Sequence, residues 1–266
     1  MTSKNGGSKR DHRGDLHRAA AGAPPPRLTD SLTKPLARRF YKEVTVTGDA
    51  APFRVLLDGR PAKTPKKRVL ELPTKALAMA VAEEWRAQGE RIDPSRMPLT
   101  RFANTAIDAV AEALEPVARD ITGYAGSDLL CYRAEGPETL VRLQAKHWDP
   151  VLRWAGNVLG VQFKIGLGVM PVAQPESVLT AVAAALTPHD AFRLTGLHVL
   201  TTLTGSALLA LALVRGEVTA DAAWAAAHVD EDYQISLWGE DYEAAARRLA
   251  RRREFDAACA LLCLLA

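Results

Sequence analysis

The sequence lacks the local signatures of most catalytic and nucleotide-binding proteins. It has no GxSxG elbow, no HExxH pair and no GxxxxGK(S/T) loop, and Gly166 and Gly168 are not followed by the third glycine that a dinucleotide fingerprint needs. A nucleophilic serine, a zincin helix and a phosphate cradle are each without their residues. Cysteine is scarce: Cys131, Cys259 and Cys263 form no CxxC and sit in apolar surroundings, which fits a reducing compartment. Cys259 and Cys263 are four apart, but no His or third Cys stands near them to complete a metal site. His147, His189 and His198 are isolated; His228, near Asp230 and Asp232, reads as part of a helix surface. No catalytic residue, cofactor or metal is expected.

Long apolar runs are also rare. The longest charge-poor stretch, Leu194 to Val214, reaches transmembrane length, yet five of its residues are Thr or Ser and His198 interrupts it. A pair of buried core helices is the expectation, with no membrane insertion. Residues 1–36 have almost no large apolar side chain and mix Gly, Ser, Pro and charge, the composition of a disordered tail. They contain no apolar signal-peptide core, and Asp11, Asp15 and Asp30 argue against a mitochondrial presequence.

What is present divides in two. From Arg39 to Leu72 the pattern alternates, with Asp58-Gly59 as a hairpin signal and a basic run of Lys63, Lys66, Lys67 and Arg68 expected on a solvated loop. A helix is predicted from Lys75 to Gln88, with Leu77, Val81, Ala82 and Trp85 on one side, Gly89 as its cap and Trp85 as a structural anchor between sheet and helices. Beyond Thr100 nearly every segment has helical period, and only Gln162 to Val172 could be extended. The fold class is α+β: a small antiparallel β-rich domain over 37–105, then a larger all-helical domain over 106–266.

Charge is as uneven as structure. Up to Leu70 there are 16 Lys and Arg against 6 acids, whereas the rest has 18 against 25, although the whole chain is only +3. Aromatics make up 6% of the chain, so a cluster of them matters, and Asp230 to Glu243 holds Tyr233, Trp238 and Tyr242 among six carboxylates. No Lys or Arg lies between Arg215 and Arg247 to neutralise these acids locally. As one helix, the segment would bury Ile235, Trp238, Tyr242, Ala245 and Leu249 and present Asp232, Glu240 and Glu243 on the opposite face. Such a face is either simply solvated or a protein interface.

The strings RFYKEVTV, FRVLLDGRPAKTP, EEWRAQGERIDPSRMPLTRFANTAID, GSDLLCYRA, HWDPVLRWA and DEDYQISLWGED occur in order between about Arg39 and Arg248. Together they resemble the assembly chaperone of the F-type ATP synthase that acts on the α subunit. The resemblance implies a non-enzymatic two-domain chaperone that binds unassembled α subunit and prevents its aggregation before assembly with β. It works in the bacterial cytoplasm or, in eukaryotes, the mitochondrial matrix. Glu240 matches the acidic position after the WG pair of the family, and Asp241, Asp232, Glu243 and Trp238 complete the expected partner-binding set. A monomer is expected. The alternative is a nucleic-acid-binding adaptor using the basic N-terminal third.

Overall fold

The structure, a computed structural model, describes residues 35–266 apart from 49 and 169. The tail expected over 1–36 therefore lies, as far as residue 34, outside the described residues. From Arg38 to Ala266 the chain forms one compact unit.

Four strands open it: Val44–Thr47 (β1), Phe53–Leu57 (β2), Arg60–Pro61 (β3) and Glu71–Leu72 (β4). β2 is central and pairs antiparallel with the other three, placing Val46 opposite Val55 and Phe53 opposite Leu72. Its alternation is that of a strand with one buried face: Phe53, Val55 and Leu57 point into the core and Arg54 does not. Asp58 and Gly59 turn β2 into β3 with φ of 48° and 75°, the positive values that the Asp-Gly pair predicts. The Asp58 carboxylate also accepts the amides of Glu43 at 2.8 Å and Lys42 at 3.0 Å, which hold its pKa below the usual range.

The first helix, Lys75–Arg86 (α1), buries Leu77, Ala78, Val81 and Ala82 against this sheet. Thr74 caps it by accepting the Leu77 amide, and the same hydroxyl donates to the carbonyl of Leu264 at 2.6 Å, near the end of the chain. The helix stops before the expected Gly89 cap, with Gln88 turned back so that its side-chain amide donates to Glu84 O. Trp85 is half-buried; its ring meets Tyr41 edge-on at 5.5 Å, and its carbonyl accepts the Tyr41 hydroxyl.

Pro98–Asp108 (α2) begins where the Glu84 carboxylate accepts the amides of Leu99 and Thr100 and the Thr100 hydroxyl. At its other end Asp108 accepts the Thr64 hydroxyl at 2.7 Å and the Lys66 amide at 3.0 Å. Lys66 Nζ donates to Asp108 O, and Arg68 to Ile107 O and to Glu112. The four basic side chains are exposed, as expected of a solvated hairpin, and Lys66 and Arg68 also tie the loop to the end of α2, a link that its length and charge could not reveal.

Eight further helices follow: Leu114–Gly126 (α3), Glu138–Leu159 (α4), Glu176–Leu186 (α5), Ala191–Thr204 (α6), Ala207–Val214 (α7), Ala220–Ala227 (α8), Val229–Trp238 (α9) and Tyr242–Leu264 (α10). Tyr132–Arg133 (β5) and Gly166–Leu167 (β6) form a small parallel pair; β6 falls in the 162–172 stretch expected to be extended, whereas β5, a two-residue strand too short for a pattern, was not foreseen. Gly205, with φ of 68°, splits the apolar run into α6 and α7, the expected helix pair, and Ala207 to Ala212 are buried all round. None of the described helices is long and apolar enough to cross a membrane. Close helix approach occurs at Gly196, where an added Cβ would stand 2.8 Å from Leu262.

Asp128 is fully buried and accepts the amides of Leu130 and Leu208 at 3.1 Å, holding the start of α7 against the segment after α3. Burial pushes its carboxyl up to about 6, although the Ser206 hydroxyl and the surrounding amides pull the other way. The folded pKa thus lies above the unfolded value of about 3.9, so the native state binds the extra proton. Stability contributed by this group should fall as pH rises from about 4 to about 6, by on the order of 2–3 kcal/mol. The difference in urea-unfolding free energy between wild type and Asp128→Asn should follow that slope and then level. A constant difference across the interval would show that the carboxyl titrates normally. We further propose that Trp85 anchors sheet to helices: Trp85→Ala should lower stability by about 3 kcal/mol, and an unchanged melting temperature would remove that role.

Candidate partner-binding surface

The acidic and aromatic segment is built around a break. Gly239 has φ 82° and ψ 173°, a conformation left almost entirely to glycine, and it ends α9 at Trp238. Asp241 then caps α10 by accepting the Ala244 amide at 2.8 Å. The single helix expected through Ile235 and Leu249 is therefore two helices joined by a short turn. Its stripe is correspondingly not buried: Trp238 is 82% exposed, Tyr242 87% and Leu249 54%, while Ile235 and Ala245 are half-buried. This overturns the expected anchoring face, because the 3,4 spacing carries across Gly239 only if the helix does.

The acids are not uniformly free either. Arg248 returns from α10 to pair with Asp232 and approaches Glu231 at 4.0 Å; Arg247 pairs with Glu243 one turn away. Asp230 accepts Gln144 Nε2 at 2.7 Å and fastens α9 to α4. Glu240 stands apart, its carboxylate without a hydrogen bond or ion pair to any described residue. Trp238, Glu240 and Asp241 line one small cavity of 210 Å³ at the turn, with Ile235, Ala245 and Arg248. Asp232 and Glu243 do not line it.

His228, expected on a helix surface, is buried at the junction of α8 and α9. Its ring stacks on Trp224 at 3.9 Å, and Nδ1 bonds Trp224 O at 2.8 Å. Burial depresses its pKa, and Arg251 and Arg248 add to that effect. Missed by sequence reasoning were Arg248, whose pairing depends on the reversal at Gly239, and Gln144, which had no distinguishing pattern. The tetrad of Trp224, His228, Phe255 and Arg252, which joins α8 to α10, was equally hidden.

Comparison with known proteins places this arrangement. The crystal structure of Atp12 from Paracoccus denitrificans superimposes with a TM-score of 0.82 at 45% identity, over 86% of this chain and 99% of that one. A protein of Agrobacterium tumefaciens gives 0.83 at 46% identity, over 92% and 93%. Among curated sequences, mitochondrial protein atp12 of Schizosaccharomyces pombe is 23% identical over 228 residues, 80% of this chain and 77% of its own length. The molecule is thus of the assembly-chaperone class that serves the ATP synthase. The family model for the ATP12 chaperone protein matches residues 38–156, and the chain belongs to the ATP12 family.

Because Gly239 occupies a backbone region costly to other residues, Gly239→Ala should destabilise the protein by about 1–3 kcal/mol. No atom lies within 4 Å of the added methyl, so the loss would be conformational rather than steric. Equal urea midpoints for the two proteins would show that the turn relaxes freely.

Proposed function

We propose that the protein binds the unassembled α subunit of the soluble catalytic sector of F-type ATP synthase and prevents its aggregation before β joins. The contact surface in this reading is the turn between α9 and α10, with Trp238, Glu240 and Asp241 at its centre and Asp232 and Glu243 beside it. The observation that carries the reading is the pairing of a highly exposed Trp238 with a carboxylate, Glu240, that has no internal partner. Large aromatics are enriched in the energetically dominant parts of interfaces, and an unpaired charge beside one offers direction to an approaching partner. Family membership supports an assembly role without catalysis. The cytoplasm is the proposed location, supported by identities of 45% and 46% to proteins from two bacteria.

The basic loop is a poor basis for nucleic-acid binding, since Lys66 and Arg68 are already engaged at the end of α2. Capture of purified α subunit by the immobilised protein tests the favoured reading. Glu240→Lys should leave folding within about 0.5 kcal/mol of wild type. It should nevertheless abolish capture, because juxtaposed like charges at an interface cost several kcal/mol. Trp238→Ala should behave the same way. Normal capture by both variants would remove the turn from the site, and loss of folding together with capture would reassign it to a structural role.

A further inference from the structure

The cavity at the α9–α10 turn has a composition that selects a particular kind of guest. Its apolar lining comes from Ile235, Trp238, Ala244 and Ala245. Its charged lining is mainly acidic, with Glu231, Glu240 and Asp241 against a single cation, Arg248. That cation is already matched by Asp232, with Glu231 at 4.0 Å, and is only 19% exposed. The unmatched charge at the mouth is therefore negative and centred on Glu240. A purely apolar guest would desolvate that carboxylate without compensation, and an anionic one would be repelled. A long aliphatic stem ending in a cation satisfies both the apolar and the acidic lining.

We propose that this cavity receives one arginine side chain of the partner, its stem against Ile235 and Ala245 and its guanidinium between the Trp238 ring and the Glu240 carboxylate. Arginine fits better than lysine because its planar head stacks on an indole while its edge donates to a carboxylate. The proposal rests on the reading of this turn as the docking surface and adds to it the identity of the group that docks.

Two measurements on the full chain separate the proposal from that reading. The first follows the indole Nε1–H resonance of Trp238, assigned with Trp238→Phe, during titration with N-acetylarginine methylamide. A saturable shift is expected, absent with the isosteric uncharged N-acetylcitrulline methylamide and weaker with the lysine analogue. Equal shifts with the citrulline compound, no shift with the arginine compound, or tighter binding of the lysine compound would each overturn the proposal. The second fills the cavity without altering charge: Ala245→Met should weaken α-subunit capture by about tenfold or more and remove the arginine-dependent shift. If Ala245→Met captures normally while Glu240→Lys does not, the turn is a docking surface that takes no inserted side chain. If neither variant loses capture, the docking reading itself fails. The wild-type titration decides the insertion even if Ala245→Met folds poorly.

Discussion

The close approach of α6 and α10 at Gly196 and Leu262 is the constraint on which the remaining arrangement depends. With no side chain at Gly196, Leu262 lies directly on the α6 backbone, and α6 in turn packs against α2, α3 and α7. α10 is thereby held as a long strut. Near its end Leu264 accepts the hydroxyl that caps α1, in its middle Glu254 pairs with Arg101 of α2 at 2.6 Å, and toward its start Arg248 reaches Asp232 of α9. The same helix therefore links the sheet to the turn that carries Trp238 and Glu240. A larger residue at position 196 would have to displace Leu262, and overpacking of a filled core typically costs about 1–3 kcal/mol.

Three interior carboxylates show how this protein ordinarily uses acid. Glu84 closes the start of α2, Asp108 holds the basic loop at its end, and Asp128 fixes the start of α7; each accepts backbone amides or hydroxyls. Burial raises the pKa of Glu84, with the bonds from Thr100 and Leu99 opposing. For Asp108 burial acts in the same upward direction, but Thr64, Lys66 and Arg68 outweigh it and keep the carboxyl low. Even Asp241, in the exposed turn, caps a helix. Glu240 departs from that pattern: it is a carboxylate beside an exposed indole, without a hydrogen bond or ion pair to any described residue. A charge whose removal would leave the fold intact is the kind that a binding surface can use.

Much of the fold was legible because its signals are local. The Asp58-Gly59 turn, the Leu77, Val81 and Ala82 stripe, and the apolar run divided at Gly205 each declare themselves within a dozen residues. The ordered strings from RFYKEVTV to DEDYQISLWGED also carried the family. What stayed hidden was tertiary. The grip of Lys66 and Arg68 on α2, the pairing of Gln144 with Asp230, and the return of Arg248 to Asp232 join residues 16 to 86 positions apart. The error at Trp238 was of another sort. A glycine inside a helix weakens it by only about 1 kcal/mol relative to alanine, so periodicity was carried through Gly239. With positive φ, that glycine and the Asp241 cap turned an inferred core face outward.

The reversal changes what the turn can do. An indole pointing into the core would have supplied stability and left the carboxylates as an ordinary wet face. Outside, it presents a large exposed apolar surface at a position set by two well-seated helices. α9 is fastened through Val229 and Asp230, and α10 through Phe255, Ala258 and Leu261. For the docking surface proposed above, little conformational freedom would remain to be lost on binding, and a surface ordered in advance binds more strongly. The elements that stabilise the fold do so away from the tip, so Trp238 and Glu240 can be exposed without loosening the core.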